Sequence, residues 1–247
     1  MRIYTSVSNP GLVSYIQNKD LNTEYVIEAG CHDASDTIKF LSDKRFKKIF
    51  AFEPDPVAFH LASRNLSGLL DRVVLKQLVL MDKSGPVLAQ SLHGEFGTGS
   101  TIYTPVAASS KSKGTINPIG VSRLDDEIPK QGGSGALWLD VEGAALLVLQ
   151  GASRVLKQII VAQIEIDMHG QSGQRLSNYR GIIRLMRAQG FNLVAAPIHP
   201  GYFGDALFVK SEFQNIPERI RSFFLQFTFI SLHSVIYPLL GKPKNLI

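Results

Sequence analysis

Short apolar runs alternate with helical patterns through most of this chain, and that rhythm restricts the fold more than any other feature. Tyr25–Ala29, Lys48–Phe52, Val73–Leu80, Ala136–Leu139 and Ile159–Ile166 read as strands. Helical spacing falls over Asp36–Leu41, Val57–Leu66 and Ala144–Leu156, and again over Ser177–Gln189 before Gly190. Phe191–Ala195 and Ala206–Val209 read as a closing strand pair. Strands separated by helices pair in parallel, because parallel neighbours need a crossover and crossovers are usually helices. Their nearly continuous apolar character fits strands covered on both faces. The expected architecture is α/β: a doubly wound, mainly parallel sheet with an antiparallel edge and helices on both faces. Ligands in such sheets bind beyond the carboxyl ends of the strands, so residues at those ends carry the functional argument.

Bulk properties narrow the rest. A chain of 247 residues fits one α/β domain with appendages. Hydrophobic residues at 45% and charged residues at 19% exclude a disordered chain. A net charge of +5 admits nucleic acid, an anionic membrane or a phosphorylated substrate. The sequence has no dense Lys/Arg block with interleaved aromatics, so no nucleic-acid partner is expected. Cys31 stands alone, so no intramolecular disulfide forms. The N-terminal stretch lacks the layout of a signal peptide, and no apolar run reaches the length of a membrane span. A cytoplasmic protein is expected, with one region able to touch a membrane. The Gly-, Ser-, Thr- and Lys-rich stretch Leu88–Ile119 reads as a long connection carrying a hairpin, and connections this long are usually functional or disordered.

The first strand runs into Glu28-Ala29-Gly30-Cys31-His32-Asp33. A glycine there lets a cofactor approach the backbone closely. The dinucleotide fingerprint G-x-G-x-x-G and a P-loop are both absent. Glu28 and Asp33 flank the turn, and acids suit a cationic ligand, such as the ammonium of a methionine moiety, better than a pyrophosphate. A plain strand–turn–helix with Asp33 as cap explains the same residues. The second strand ends in Phe52-Glu53-Pro54-Asp55. A carboxylate at that tip, about 20 residues past the glycine turn, can accept both hydrogen bonds of a ribose diol; a helix cap is the simpler alternative. Asp82, after the third strand, can reach an adenine amino group, although Asp82-Lys83-Ser84-Gly85 is equally good turn chemistry.

The fourth strand leads into Asp140-Val141-Glu142-Gly143-Ala144, and the fifth carries Glu165-Ile166-Asp167-Met168-His169. Glu165 and Asp167 share a face by the two-residue period of a strand. Adjacent fourth and fifth strands gather Asp140, Glu142, Glu165 and His169. Such a group can hold a hard divalent cation such as Mg through Asp140 and Glu165. Alternatively, mutual repulsion raises one carboxyl pKa and makes a general base for a hydroxyl. Helix caps and surface acids are the plainer account. Asp125 and Asp126 read as a solvated turn or cap. His199 is a further candidate base.

Taken together, Ile27–Asp33, Ala51-Phe52-Glu53-Pro54, Ser122-Arg123-Leu124-Asp125, Leu139–Ala144, Leu149-Gln150-Gly151-Ala152 and Ile164-Glu165-Ile166 resemble the FkbM family of S-adenosylmethionine (SAM)-dependent methyltransferases. The resemblance covers roughly Glu24 to Lys210. It implies a Rossmann-like, seven-stranded class I methyltransferase fold and O-methylation of a hydroxyl on a sugar, glycolipid or related natural product. By position it implies Glu28, Gly30, Cys31, His32 and Asp33 at the methionine end of SAM. It puts Glu53 and Pro54 at the ribose, Asp82 near adenine, and Asp140 and Glu142 facing the acceptor. The sequence departs from the family at Glu28, usually Asp; at Ala34, commonly Gly; and at Ala145, usually Glu, where one site acid is lost. That last departure leaves an inactive SAM- or nucleotide-binding scaffold as the alternative.

The methyltransferase domain is expected over 1–210, preceded by a capping helix within residues 1–20, and 211–247 forms an apolar helical extension. Ser222–Leu240 is rich in Phe, Leu and Ile, with Arg219 and Arg221 before it and Lys242 and Lys244 after. Basic flanks around an aromatic apolar segment suit peripheral contact with an anionic membrane; packing on the domain or a homodimer suits the same pattern.

Overall fold

The computed structural model describes residues 11–91, 115–167, 179–196 and 203–231. Ten strands are described: β1 (Tyr25–Ala29), β2 (Lys48–Phe52), β3 (Val73–Lys76), β4 (Val79–Leu80), β5 (Gly85–Ser91), β6 (Thr115–Ser122), β7 (Gly135–Leu139), β8 (Ile159–Asp167), β9 (Phe191–Ala195) and β10 (Phe203–Lys210). The helices are α1 (Leu12–Asn18), α2 (Ser35–Ser42), α3 (Pro56–Asn65), α4 (Leu124–Glu127), α5 (Ala145–Gln150), α6 (Tyr179–Ala188) and α7 (Ile216–Ser231).

The main sheet has seven strands in the order β3-β2-β1-β7-β8-β10-β9. Pairing is parallel throughout except at β10, which runs antiparallel to both β8 and β9. The expected doubly wound, Rossmann-like sheet is therefore present. Its antiparallel strand lies one place in from the edge.

The chain order reverses between β1 and β7. From β1 the chain crosses through α2 to β2, and from β7 through α5 to β8. Crossovers of one hand that lead in opposite directions put their helices on opposite faces. One apolar cluster accordingly joins Leu12 and Ile16 of α1, Phe40 and Leu41 of α2 and Ala62 of α3 to Val26, Ile49 and Ala136 of the sheet. The other joins Leu124, Val148, Leu149, Ile182 and Met186 to Ile27, Phe50, Leu137 and Ile164. Trp138 meets Phe40 edge-on at 5.5 Å between ring centroids. Side chains of this size contribute about 1.5–3 kcal/mol each when buried.

Two expected elements are divided. The run Val73–Leu80 splits into β3, in the main sheet, and β4, which pairs with β6 in a second sheet of order β4-β6-β5. The last pairing of β2 with β3 is Phe52 with Lys76, where the Glu53 N–H donates to the Lys76 carbonyl at 3.1 Å. The run Ala144–Leu156 is likewise two pieces, α5 and a short 3₁₀ turn over Val155–Lys157. At Gly151, between them, a Cβ would lie 2.1 Å from the Met81 carbonyl oxygen. Asp125 restarts the turn: its Oδ1 accepts from the Arg154 and Val155 N–H groups, both at 2.9 Å. Asp125 is thus a cap and not a solvated turn. The expected hairpin within Leu88–Ile119 is present as antiparallel β5 and β6; residues 92–114 lie outside the described residues.

Candidate active site

The carboxyl ends of β1 and β7 lie side by side at the point of reversal, where Gly30 bonds to β2 and packs against the end of β7. Its N–H donates to the Phe52 carbonyl at 2.9 Å, and the Asp140 N–H donates to the Ala29 carbonyl at 3.0 Å. Gly30 has φ +82°, and a Cβ there would sit 1.7 Å from the Asp140 carbonyl oxygen. The glycine is therefore required by protein packing against protein.

The loop after Gly30 is held from β2. Glu53, 5% exposed, accepts from the His32 N–H on Oε2 and from the Asp55 N–H on Oε1, each at 2.8 Å. Burial raises its pKa. Each carboxylate oxygen has two acceptor positions, so one on each remains for a further donor. His32 and Ala34 both take positive φ, at 48° and 68°. Ala34, where the family commonly has Gly, thus adopts the left-handed turn with its Cβ. Asp33 Oδ1 accepts from the Ser35 N–H at 3.0 Å at the start of α2, and hydrogen bonding from the Ser35 side chain, with that N–H adding to it, holds its carboxyl below the usual range. Cys31 is buried and its thiol pKa is raised by burial.

Glu28 is 1% exposed beneath α2, where the Thr37 hydroxyl donates to Oε2 at 2.5 Å. Burial pushes its carboxyl up to about 8. Glu28 acts on the site as a buried group behind the loop, not as part of its open surface.

The carboxylates expected from the fourth and fifth strands do converge. Asp140 and Glu165 share a hydrogen bond. Burial raises both pKa values; Asp205 raises Asp140 further, and Asp140 and Glu142 raise Glu165. Asp140 is nonetheless exposed by surface area. Glu165 is half-buried, and its Oε2 has no hydrogen-bond partner among the described residues. Glu142 is exposed, has φ +47°, and has its pKa raised by burial and then by Asp140. Left-handed backbone at a non-glycine residue stores strain of about 1–3 kcal/mol and marks functional turns.

Asp205 completes the cluster and was missed in the sequence. It is the third residue of β10 and lies directly opposite Glu165. Burial raises its pKa, while a hydrogen bond from Gln163 lowers it. Gln163 also accepts the Leu12 N–H at 2.8 Å, so α1 is tied to the same network. Starting the closing strand three residues earlier would have revealed Asp205 by its register. Asp36 of α2 adds negative charge felt by Glu28, Asp140 and Asp205.

Other expected residues are placed elsewhere. Asp82 is exposed beyond β4, in the turn between strands of the small sheet. The main-sheet strand ends six residues earlier, at Lys76, which pairs with Glu127 at 2.7 Å. Pro54 is half-buried between Glu53 and the helix-capping Asp55. Ala145 is 2% exposed in the apolar core. The position where the family usually has Glu is therefore a core position in this chain. His169 and His199 lie outside the described residues. No group of three or more His, Cys, Asp or Glu among the described residues is arranged to hold a metal ion. Asp140 and Glu165 offer only two ligands.

Carboxylates thus gather near the reversal point of a seven-stranded sheet. The Methyltransferase FkbM domain model matches residues 28–193. The 2-O-methyltransferase NoeI of Sinorhizobium fredii (strain NBRC 101917 / NGR234) is 30% identical over 156 residues, which are 59% of this chain and 63% of that protein. The chain thus spans less than two thirds of the relative's length. The crystal structure of Methyltransferase FkbM from Methylobacillus flagellatus KT is 14% identical, with a TM-score of 0.49, over 84% of this chain and 48% of that one. With the family model spanning more than half of its length, the chain belongs to the FkbM methyltransferase family.

Proposed function

We propose that the protein is a SAM-dependent O-methyltransferase acting on a hydroxyl of a sugar, glycolipid or related natural product. The observation that carries the reading is the Asp140–Glu165 pair, which shares a hydrogen bond at the carboxyl ends of adjacent strands and has both pKa values raised. Similarity to the 2-O-methyltransferase NoeI supports the choice of oxygen as acceptor.

The residues present fit SAM. Glu53 keeps one acceptor position on each oxygen, aimed from the tip of β2, where a ribose diol needs two. The negative charge of Asp36, Asp140, Glu142 and Asp205 suits a cationic sulfonium and ammonium. When bound, SAM supplies an activated methyl group on sulfur, and the protein's task is orientation and proton removal. Asp140, with Glu165 hydrogen-bonded to it, would take the single proton of the acceptor hydroxyl, whose oxygen would receive the methyl group as the methyl–sulfur bond breaks and sulfur leaves as the neutral thioether. Their raised pKa values bring the base closer to the working pH. Among the described residues no further group joins these two carboxylates as a metal ligand, and no step is routed through a cation.

Methyl transfer from labelled SAM to a panel of glycans and glycolipids tests the reading. Asp140→Asn and Glu165→Gln each lower kcat by about 10²-fold or more while SAM still binds. Removing Asp140 also relieves the charge that raises Glu165, so the acidic limb of residual activity in Asp140→Asn moves to lower pH. Full activity in both variants overturns the assignment of the base.

A further inference from the structure

We propose that the outer face of α7 docks on an anionic lipid surface. The helix packs along β9 through one face only: Ser222 is 3% and Phe229 1% exposed. At 100° per residue the opposite side carries Ile216, Ile220, Phe223 and Phe227, at i, i+4, i+7 and i+11, with Phe224 beside them. These five are 53–72% exposed. Phe213, just before the helix, is exposed as well.

The charges around this face are of one sign. Arg219 and Arg221 project at opposite rims of the apolar stripe, both exposed. The one acid within the helix, Glu218, lies toward the packed side and is ion-paired with Lys19. Beyond the helix the sequence stays apolar to Leu240 and then carries Lys242 and Lys244. Aromatic and branched apolar side chains bordered by arginine are the composition of a helix lying in a lipid interface. Anionic headgroups supply the missing counter-charge. A second copy does not, because a two-fold contact through this face brings like-charged rims together.

The placement is consistent with a role near the site. The Phe229 ring meets Tyr179 edge-on at 5.8 Å between centroids, so α7 ends beside the start of α6. That is the side of the sheet where β8 delivers Glu165. The docking proposal does not depend on which acceptor the site takes.

Sedimentation of the full-length protein with vesicles tests it, comparing phosphatidylcholine alone with phosphatidylcholine containing phosphatidylserine. The protein partitions onto the anionic vesicles, prefers them to the neutral ones, and releases as salt is raised. Phe223→Ser/Phe224→Ser/Phe227→Ser weakens partitioning by about tenfold or more. Arg219→Gln and Arg221→Gln each weaken it by about fivefold. Unchanged far-ultraviolet circular dichroism shows that these surface variants fold. Absence of binding to anionic vesicles overturns the proposal, as does binding indifferent to the phenylalanine changes. A solution dimer that the same triple substitution dissociates, with no vesicle binding, assigns the face to a second copy and likewise overturns it.

Discussion

At the scale of single residues, the site is governed by backbone crowding and by carboxyl groups removed from water. Gly30 shows the first. A methyl group there meets the Asp140 carbonyl at 1.7 Å, and φ is +82°. Gly30→Ala is expected to destabilise by about 1–3 kcal/mol from the dihedral alone, with the clash adding to it, and denaturant unfolding measures the loss. Glu28 shows the second. Its folded-state pKa rises from an ordinary 4.5 to about 8 through burial. The folded protein thus holds a proton there that the unfolded chain releases above about 4.5. Stability falls as pH rises from that value to about 8, with a slope of at most about 1.4 kcal/mol per pH unit from this group. Glu28→Gln, neutral throughout, flattens the slope; parallel pH profiles for both proteins contradict the account. The residue types at the strand ends were legible in the sequence, because carboxylates followed apolar runs. Their division of labour was not. Whether Glu28 faces the cleft or α2 depends on Thr37, nine residues away, and on sheet contacts that no local pattern encodes.

At the scale of elements, caps and chain breaks decide where the sequence pattern holds. Asp55 accepts from the Val57 and Ala58 N–H groups at 2.9 Å each, with Pro56 at the first helical position. Asp55→Ala is expected to cost about 0.5–2 kcal/mol by freeing those donors, read as a lower midpoint in urea. An unchanged midpoint contradicts the capping role. The start of α3 was readable because Asp-Pro is a local signal. The division of Val73–Leu80 was not, because only Lys76 and Gln77 interrupt the apolar run and neither is a turn residue. The chain leaves the main sheet only because β2, its partner, has already ended at Phe52. The same holds for Ala144–Leu156: Gly151 and Asp125 divide it, and Asp125 lies far back in the chain.

At the scale of the whole molecule, topology gathers residues from five distant segments at one end of the sheet. The strand–helix rhythm made the doubly wound sheet legible, and with it the neighbourhood of Asp140 and Glu165. Asp205 stayed hidden because it arrives on the antiparallel strand, whose order in the sheet is a tertiary property. No described helix is long and apolar enough to cross a membrane. The central claim is that the reversal between β1 and β7 is a SAM site gripped by Glu53. Calorimetric titration of the wild-type protein and Glu53→Gln with SAM and its demethylated product tests this most directly. Glu53→Gln replaces one carboxylate acceptor with an amide donor, and thermal melting confirms that the variant is folded. Micromolar binding to the wild type, weakened about tenfold or more in the variant, is the predicted result. No heat of binding at millimolar SAM, or equal affinity in both proteins, contradicts it.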